Sequence, residues 1–311
     1  MSLLWDVFVA PFMDMATSPL FLAEVILGGI AAGLMYSLVA LGFVLIFKAS
    51  GVFNFAQGVM VLFAALTLVG LMERGIPVVL ALGLTGAVMV LLAFAIERLV
   101  LRPLVNQEHI ILFMATIGLN FFLEGFGEMV WGANVKKLDI GIPDRSVMVA
   151  GIQVNQLEVS AAVTAGVLVA ILALFFQRTR VGRALRAVAD DHEAALSLGV
   201  ALKTIWVIVW SVAGLVAIVA GVMWGAKSGV QFSLSLIALK ALPVLILGGF
   251  ESVPGAIVGG LIIGVGEKIG EVYWGPLVGG AIENWFAYVL ALVFLLFRPQ
   301  GLYGERIIER V

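Results

Sequence analysis

Apolar runs of about 20 residues alternate along this chain with short polar or glycine-bearing breaks, the pattern of a protein whose solvent is lipid. The runs fall near 22–47, 55–72, 77–97, 109–131, 157–176, 204–225, 233–249, 254–270 and 283–297. They predict an all-α, polytopic transmembrane bundle of about 8–9 spans, folded as one domain over residues 1–311. The stretch 233–270 is interrupted by Lys240, Pro243, Gly248, Gly249, Pro254 and Gly255. Two short, broken helices fit it better than one long one, because irregular backbone survives at membrane depth only under protein cover. The stretch 50–58 looks broken in the same way, and residues 41–58 and 243–260 read as matching halves of an inverted repeat. Trp5, Phe8 and Phe12 suggest an amphipathic lead-in at the membrane surface.

One segment breaks the apolar pattern. The stretch 177–203 is polar and basic, carrying Arg178, Arg180, Arg183, Arg186, Asp190, Glu193 and Lys203. Two short helices fit it, one over 182–189 and one ended by Gly199. It is either an ordinary loop on the positive-inside face or a docking element for a cytoplasmic partner. The Lys/Arg bias puts Lys48, Arg98, Arg102, this segment, Arg298, Arg306 and Arg310 on one side. That side is cytoplasmic, with the C-terminus on it. The N-terminus and the loop 132–156 then lie outside, the loop as a small external cap.

Composition narrows the function. At 62% hydrophobic and 12% charged, the chain holds about half the charge of a soluble domain. A net charge of -2 offers no footprint for nucleic acid. With no cysteine and two histidines, thiol catalysis is excluded and a metal site is not expected. No Gly-rich loop with the Lys-Ser/Thr ending needed to cradle ATP phosphates occurs, so no cofactor is expected on this chain.

Polar residues inside the spans are the candidates for a solute route. Thr116, Asn120 and Glu124 recur every four residues, on one helical face, and read as a pathway stripe or as interhelical glue. Asn54 and Gln57 sit at the break near Gly51 and Gly58, where they either line a path or cap helix ends.

Three separated motifs carry a resemblance. The stretch Gly33-Leu-Met-Tyr-Ser-Leu-Val-Ala-Leu-Gly42, continuing to Phe53-Asn-Phe-Ala-Gln-Gly58, is similar to the opening of the high-affinity branched-chain amino acid permeases. Gly248-Gly-Phe-Glu-Ser-Val-Pro-Gly255 and Phe297-Arg-Pro-Gln-Gly-Leu-Tyr-Gly304 match their later segments. Glu193-Ala-Ala with Gly199 resembles the loop through which such importer permeases contact their ATPase, without the usual Ile-x-Leu-Pro downstream.

The resemblance implies the permease fold of an ATP-binding cassette importer in a bacterial inner membrane, N-terminus periplasmic. It implies a second related permease, two ATPases that bind ATP and magnesium, and a periplasmic binding protein as partners. Arg183, Arg186, Asp190, Glu193, Ala194, Ala195 and Gly199 are then the coupling residues. Urea, short-chain amide and aromatic-acid importers share these motifs. The rival reading is a stand-alone transporter with protons carried by Glu124 or Glu267.

Overall fold

The computed structural model describes residues 2–104, 107–190, 195, 197 and 199–304. Short helices α1 (Ser2–Phe8) and α2 (Ala10–Thr17) lead into α3 (Pro19–Ser50), α4 (Gln57–Glu73), α5 (Val78–Ile96) and α6 (His109–Trp131). A hairpin of β1 (Ser146–Val149) and β2 (Ile152–Asn155) follows. Then come α7 (Gln156–Arg178), α8 (Arg180–Asp190), α9 (Leu202–Ser228), α10 (Ile237–Gly248), α11 (Val253–Tyr273), α12 (Gly275–Val278) and α13 (Phe286–Phe297). Among the described residues, six helices are long and apolar enough to cross a membrane, and three apolar helices are shorter.

Burial sorts the long helices into centre and rim. The most apolar windows of α3 and α9 are 78% and 67% buried, against 28% for those in α5, α6 and α7. A helix that is hydrophobic all round but buried must pack on every side, so α3 and α9 form the axis. They run antiparallel, with the Trp206 indole donating to the Ala49 carbonyl at 3.0 Å and Tyr36 stacked on Trp224 at 5.8 Å.

Around that axis the neighbours repeat. Helix α3 packs on α11 as α9 packs on α5; α4 lies on α9 as α10 lies on α3; α4 meets α6 as α10 meets α13. The repeat therefore matches the region of α3 to α6 with that of α9 to α13. The sequence-based pairing of 41–58 with 243–260 is displaced by this arrangement, since the break at 51–56 corresponds to the one at 229–236. Gly51, at φ 69°, ends α3, and its N–H bonds the Phe47 carbonyl. Gly229, at φ 78° and ψ 157°, ends α9, its N–H bonding the Gly225 carbonyl. Both short helices begin inside the bundle, where Gly58 near the start of α4 faces the Ser235 carbonyl and Ala238 at the start of α10.

The α3–α11 seam is built of glycine. A Cβ at Gly33 would meet the Gly260 carbonyl, and one at Gly264 would run into the backbone of Gly29 and Gly33. Ser37 donates to the Gly33 carbonyl of its own helix at 2.8 Å, and its hydroxyl lies 3.3 Å from the Ile257 carbonyl across this seam. Small residues let helices approach closely where lipid provides no hydrophobic drive. This explains a difference from expectation: only α10 is short, whereas α11 runs 21 residues without a break. Its glycines face a neighbour instead of interrupting the helix.

The loop 132–156 departs from all-α. Ala150 (φ 51°) and Gly151 (φ 84°) make a tight two-residue turn between β1 and β2. An isolated hairpin is marginal. This one is tied down by the Gln153 N–H on Glu24 (3.1 Å) and by Asn155, which caps α7 through the Glu158 N–H (3.1 Å). At the same end of the bundle, Trp274 donates to Val7 (3.0 Å) and packs edge-on against Phe12.

Candidate functional site

The polar island forms a surface anchored to the end of α7. The last carbonyls of a helix have no partner of their own. Arg186 supplies donors, reaching Phe176 at 2.8 Å and Gln177 at 3.4 Å. Gly182 packs so closely on the Phe176 backbone that a side chain there would collide. Leu185 and Val188 are buried on the same face of α8. Arg186 is thus spent on holding the element in place. Ala195 is also turned inward, at 2% exposure. Arg183 points outward, with one contact to the Arg178 carbonyl at 3.4 Å. Gly199 is exposed at φ 82°. Asp190 is the last residue of α8, while Glu193 and Ala194 lie outside the described residues.

Residues far apart in sequence meet beside α8. A cavity of about 270 Å3 is lined by Leu45, Lys48, Arg186, Glu251, Ser252 and Tyr303, among others. Tyr303 belongs to a backbone clasp: Leu302 and Tyr303 donate their N–H groups to the Leu247 and Gly248 carbonyls at 2.8 and 3.1 Å. Ser252 caps α11 by accepting the Gly255 N–H at 3.0 Å, and Lys48 reaches the Glu251 carbonyl at 3.4 Å. The second and third motifs therefore form one structure, against the end of the helix that carries the first.

An aromatic cluster, not foreseen from the sequence, joins the break at 51–56 to the turn at 249–252. Phe53 stacks on Phe43 (4.7 Å) and touches Phe55 (5.1 Å) and Phe250 (6.4 Å). Phe55 meets Phe113 (5.2 Å), and Phe47 meets Phe250 (5.5 Å). The available signal was a pair of phenylalanines flanking Asn54 in a segment too irregular to be a helix.

Within the break, Asn54 makes the turn that starts α4, accepting the Ala56 N–H at 3.1 Å. Gln57 is fully buried against Gly42, and neither polar atom of its amide has a partner among the described residues. Thr116 accepts the Phe55 N–H at 3.1 Å and lies within reach of the Phe113 and Phe53 carbonyls at 2.8 and 3.3 Å. It pins the break to α6. Asn120 and Glu124 do not join it. Steps of four rotate about 40° around a helix, so the stripe drifts from the buried face of Leu112, Thr116, Leu119 and Leu123 to a half-buried edge.

One further polar group lies at membrane depth. Glu267, 3% exposed, accepts from Lys240 at 2.9 Å and from the Tyr36 hydroxyl at 3.3 Å through the same oxygen. A buried carboxylate needs such a cation, and this pairing gives Glu267 a structural partner.

A motif-bearing clasp, two long axial helices flanked by short helices that start inside the bundle, and a polar surface helix are in keeping with a permease, and comparison with known families agrees. Residues 25–298 match the family model described as branched-chain amino acid transport system / permease component. The chain belongs to this family. It is 29% identical over 301 residues to the high-affinity branched-chain amino acid transport system permease protein BraD of Pseudomonas aeruginosa, covering 92% of this chain and 97% of that one. It is equally similar, at 29% over 314 residues, to the LivH permease protein of Escherichia coli K12, covering 94% and 98%. A more distant likeness, 24% over 141 residues, is to the autoinducer 2 import system permease protein LsrC of Shigella flexneri, covering 45% and 36%. No solved structure matches the chain. Membership makes it a multi-pass helical transport subunit.

Proposed function

We propose that this chain is a permease subunit of an importer for branched-chain amino acids, worked by two cytoplasmic ATPases and supplied by an external binding protein. A second, related permease completes the membrane pore. The observation that carries the reading is full-length similarity to permeases named for that transport, with the three motifs gathered on one face beside α8. All nine apolar helices cross or enter the membrane in this reading, with the N-terminus outside. ATP and magnesium belong to the partner subunits. Arg183, Gly199 and the segment with Glu193 and Ala194 meet the ATPase, while Arg186 and Ala195 hold that surface in shape. The rival, proton coupling through Glu267, is disfavoured because Lys240 already neutralises that carboxylate.

The edge of α6 that carries Asn120 and Glu124 faces the solute route in this reading, because a half-buried carboxylate at membrane depth needs water or a polar neighbour. Uptake of radiolabelled leucine, urea and benzoate by cells with and without the gene tests the function. Leucine uptake is expected to depend on the gene, and uptake of urea or benzoate alone would overturn the assignment. In the same assay Glu124→Gln should lower the rate while leaving assembly intact. An unchanged rate for every accepted solute removes Glu124 from the pathway.

Orientation is tested without background, because the chain has no cysteine. A cysteine at Ser146 on the hairpin should react with an impermeant thiol reagent in intact cells, and one at Ser197 should not. The opposite labelling would invert the topology.

A further inference from the structure

The break between α9 and α10 holds a cavity of about 200 Å3, separate from the coupling surface. Trp224, Gln231, Ser233, Leu234, Ile237 and Lys240 are among its lining residues. Two features set it apart from a packing gap. The indole Nε1 of Trp224 is buried and has no hydrogen-bond partner among the described residues. A donor in that state is costly until something accepts from it. Lys240 lies in the first turn of α10, where both the helix dipole and the membrane disfavour a cation. Its ammonium has three donors. Two are taken, by Glu267 at 2.9 Å and by the Glu283 carbonyl at 3.4 Å. Of the ion pair, Lys240 is the accessible member, with its side chain 29% exposed against 5% for Glu267. Glu267 does not line the cavity, so it holds the ammonium from behind.

We propose that this cavity is a transient binding site for a small aliphatic carboxylate of amino-acid size. Its carboxylate takes the spare donor of Lys240 and the Trp224 N–H, and its side chain lies on Leu234 and Ile237. The volume is below the roughly 300–1,000 Å3 of sites for drug-sized ligands, in keeping with a solute of this size. The choice of a branched aliphatic amino acid as the natural occupant rests on the proposed function.

Ser233 is exposed at the cavity and the chain has no cysteine, so Ser233→Cys gives a reporter thiol. Its labelling is followed on the permease chain of the assembled permease–ATPase complex, without the binding protein. Leucine and isovalerate should each slow labelling several-fold, whereas leucinol, which lacks the carboxylate, should not. Lys240→Arg should keep the protection. Lys240→Met combined with Glu267→Gln, which leaves no stranded charge, should abolish it, with assembly checked by gel filtration. Equal protection by leucinol, survival of protection in the double variant, or no protection by either carboxylate overturns the site. The isovalerate arm stands apart from the functional reading: a complex that fails to import leucine but is protected by isovalerate refutes the named solute and keeps the site.

Discussion

Replacing Gly264 with leucine is expected to leave almost no assembled permease. At this point α11 crosses α3 so closely that a Cβ on Gly264 would run into the Gly29 carbonyl and the Gly33 backbone, and no flexible side chain can move aside. Overpacking of a tight interior typically costs about 1–3 kcal/mol, and backbone contact puts this case at the upper end. At about 3 kcal/mol the folding equilibrium shifts by roughly a hundred-fold. Gly83→Leu on α5 is the control, because Gly83 is exposed with open space around it. Gel filtration in mild detergent should recover the Gly83 variant as a sharp peak and the Gly264 variant as aggregate. Equal recovery would mean that the α3–α11 seam does not hold the bundle together.

A comparably large effect, on transport instead of folding, is expected at Arg183. Helix α8 buries Gly182, Leu185 and Val188 and leaves Arg183 exposed. Surface charge changes away from special features barely alter stability. At a docking face, a reversed charge opposes its partner, and Arg183→Glu should lower uptake about ten-fold or more. Thermal stability should stay at the wild-type value. Arg186→Ala should behave differently, because its guanidinium closes the end of α7. That variant should melt earlier, with transport lost as a consequence. Wild-type uptake in Arg183→Glu would remove α8 from the coupling surface.

These contrasts show what the sequence could and could not disclose. Each apolar run coincides with a helix, because length and hydropathy alone decide what can sit in lipid; residues 22–47 lie within Pro19–Ser50, and 204–225 within Leu202–Ser228. Gly51, at the break expected near 50–58, is the stop of α3. Which helix a face meets was not readable. Gly255 read as an interruption, yet it lies inside α11, where it packs on Gly248 of α10. Arg186 and Arg183 are alike in sequence, and only the end of α7 separates a capping arginine from an outward one. Thr116 and Glu124 share a spacing but not an environment, because an eight-residue step turns the helix partly away. The β-hairpin escaped notice because its strands are short and its stability comes from Glu24, far away in the chain.

The seam between α3 and α11 also sets a timetable. Helix α3 leaves the ribosome well before its main partner, which begins at Val253. At roughly 5–20 residues per second, the intervening chain takes about 10–40 s to make. Throughout that interval α3 sits in the bilayer with its glycine groove unfilled. The clasp of Leu302 and Tyr303 on Leu247 and Gly248 closes later still. Biogenesis is therefore a race between the arrival of the last fifth of the chain and the capture of an open groove by some other helix.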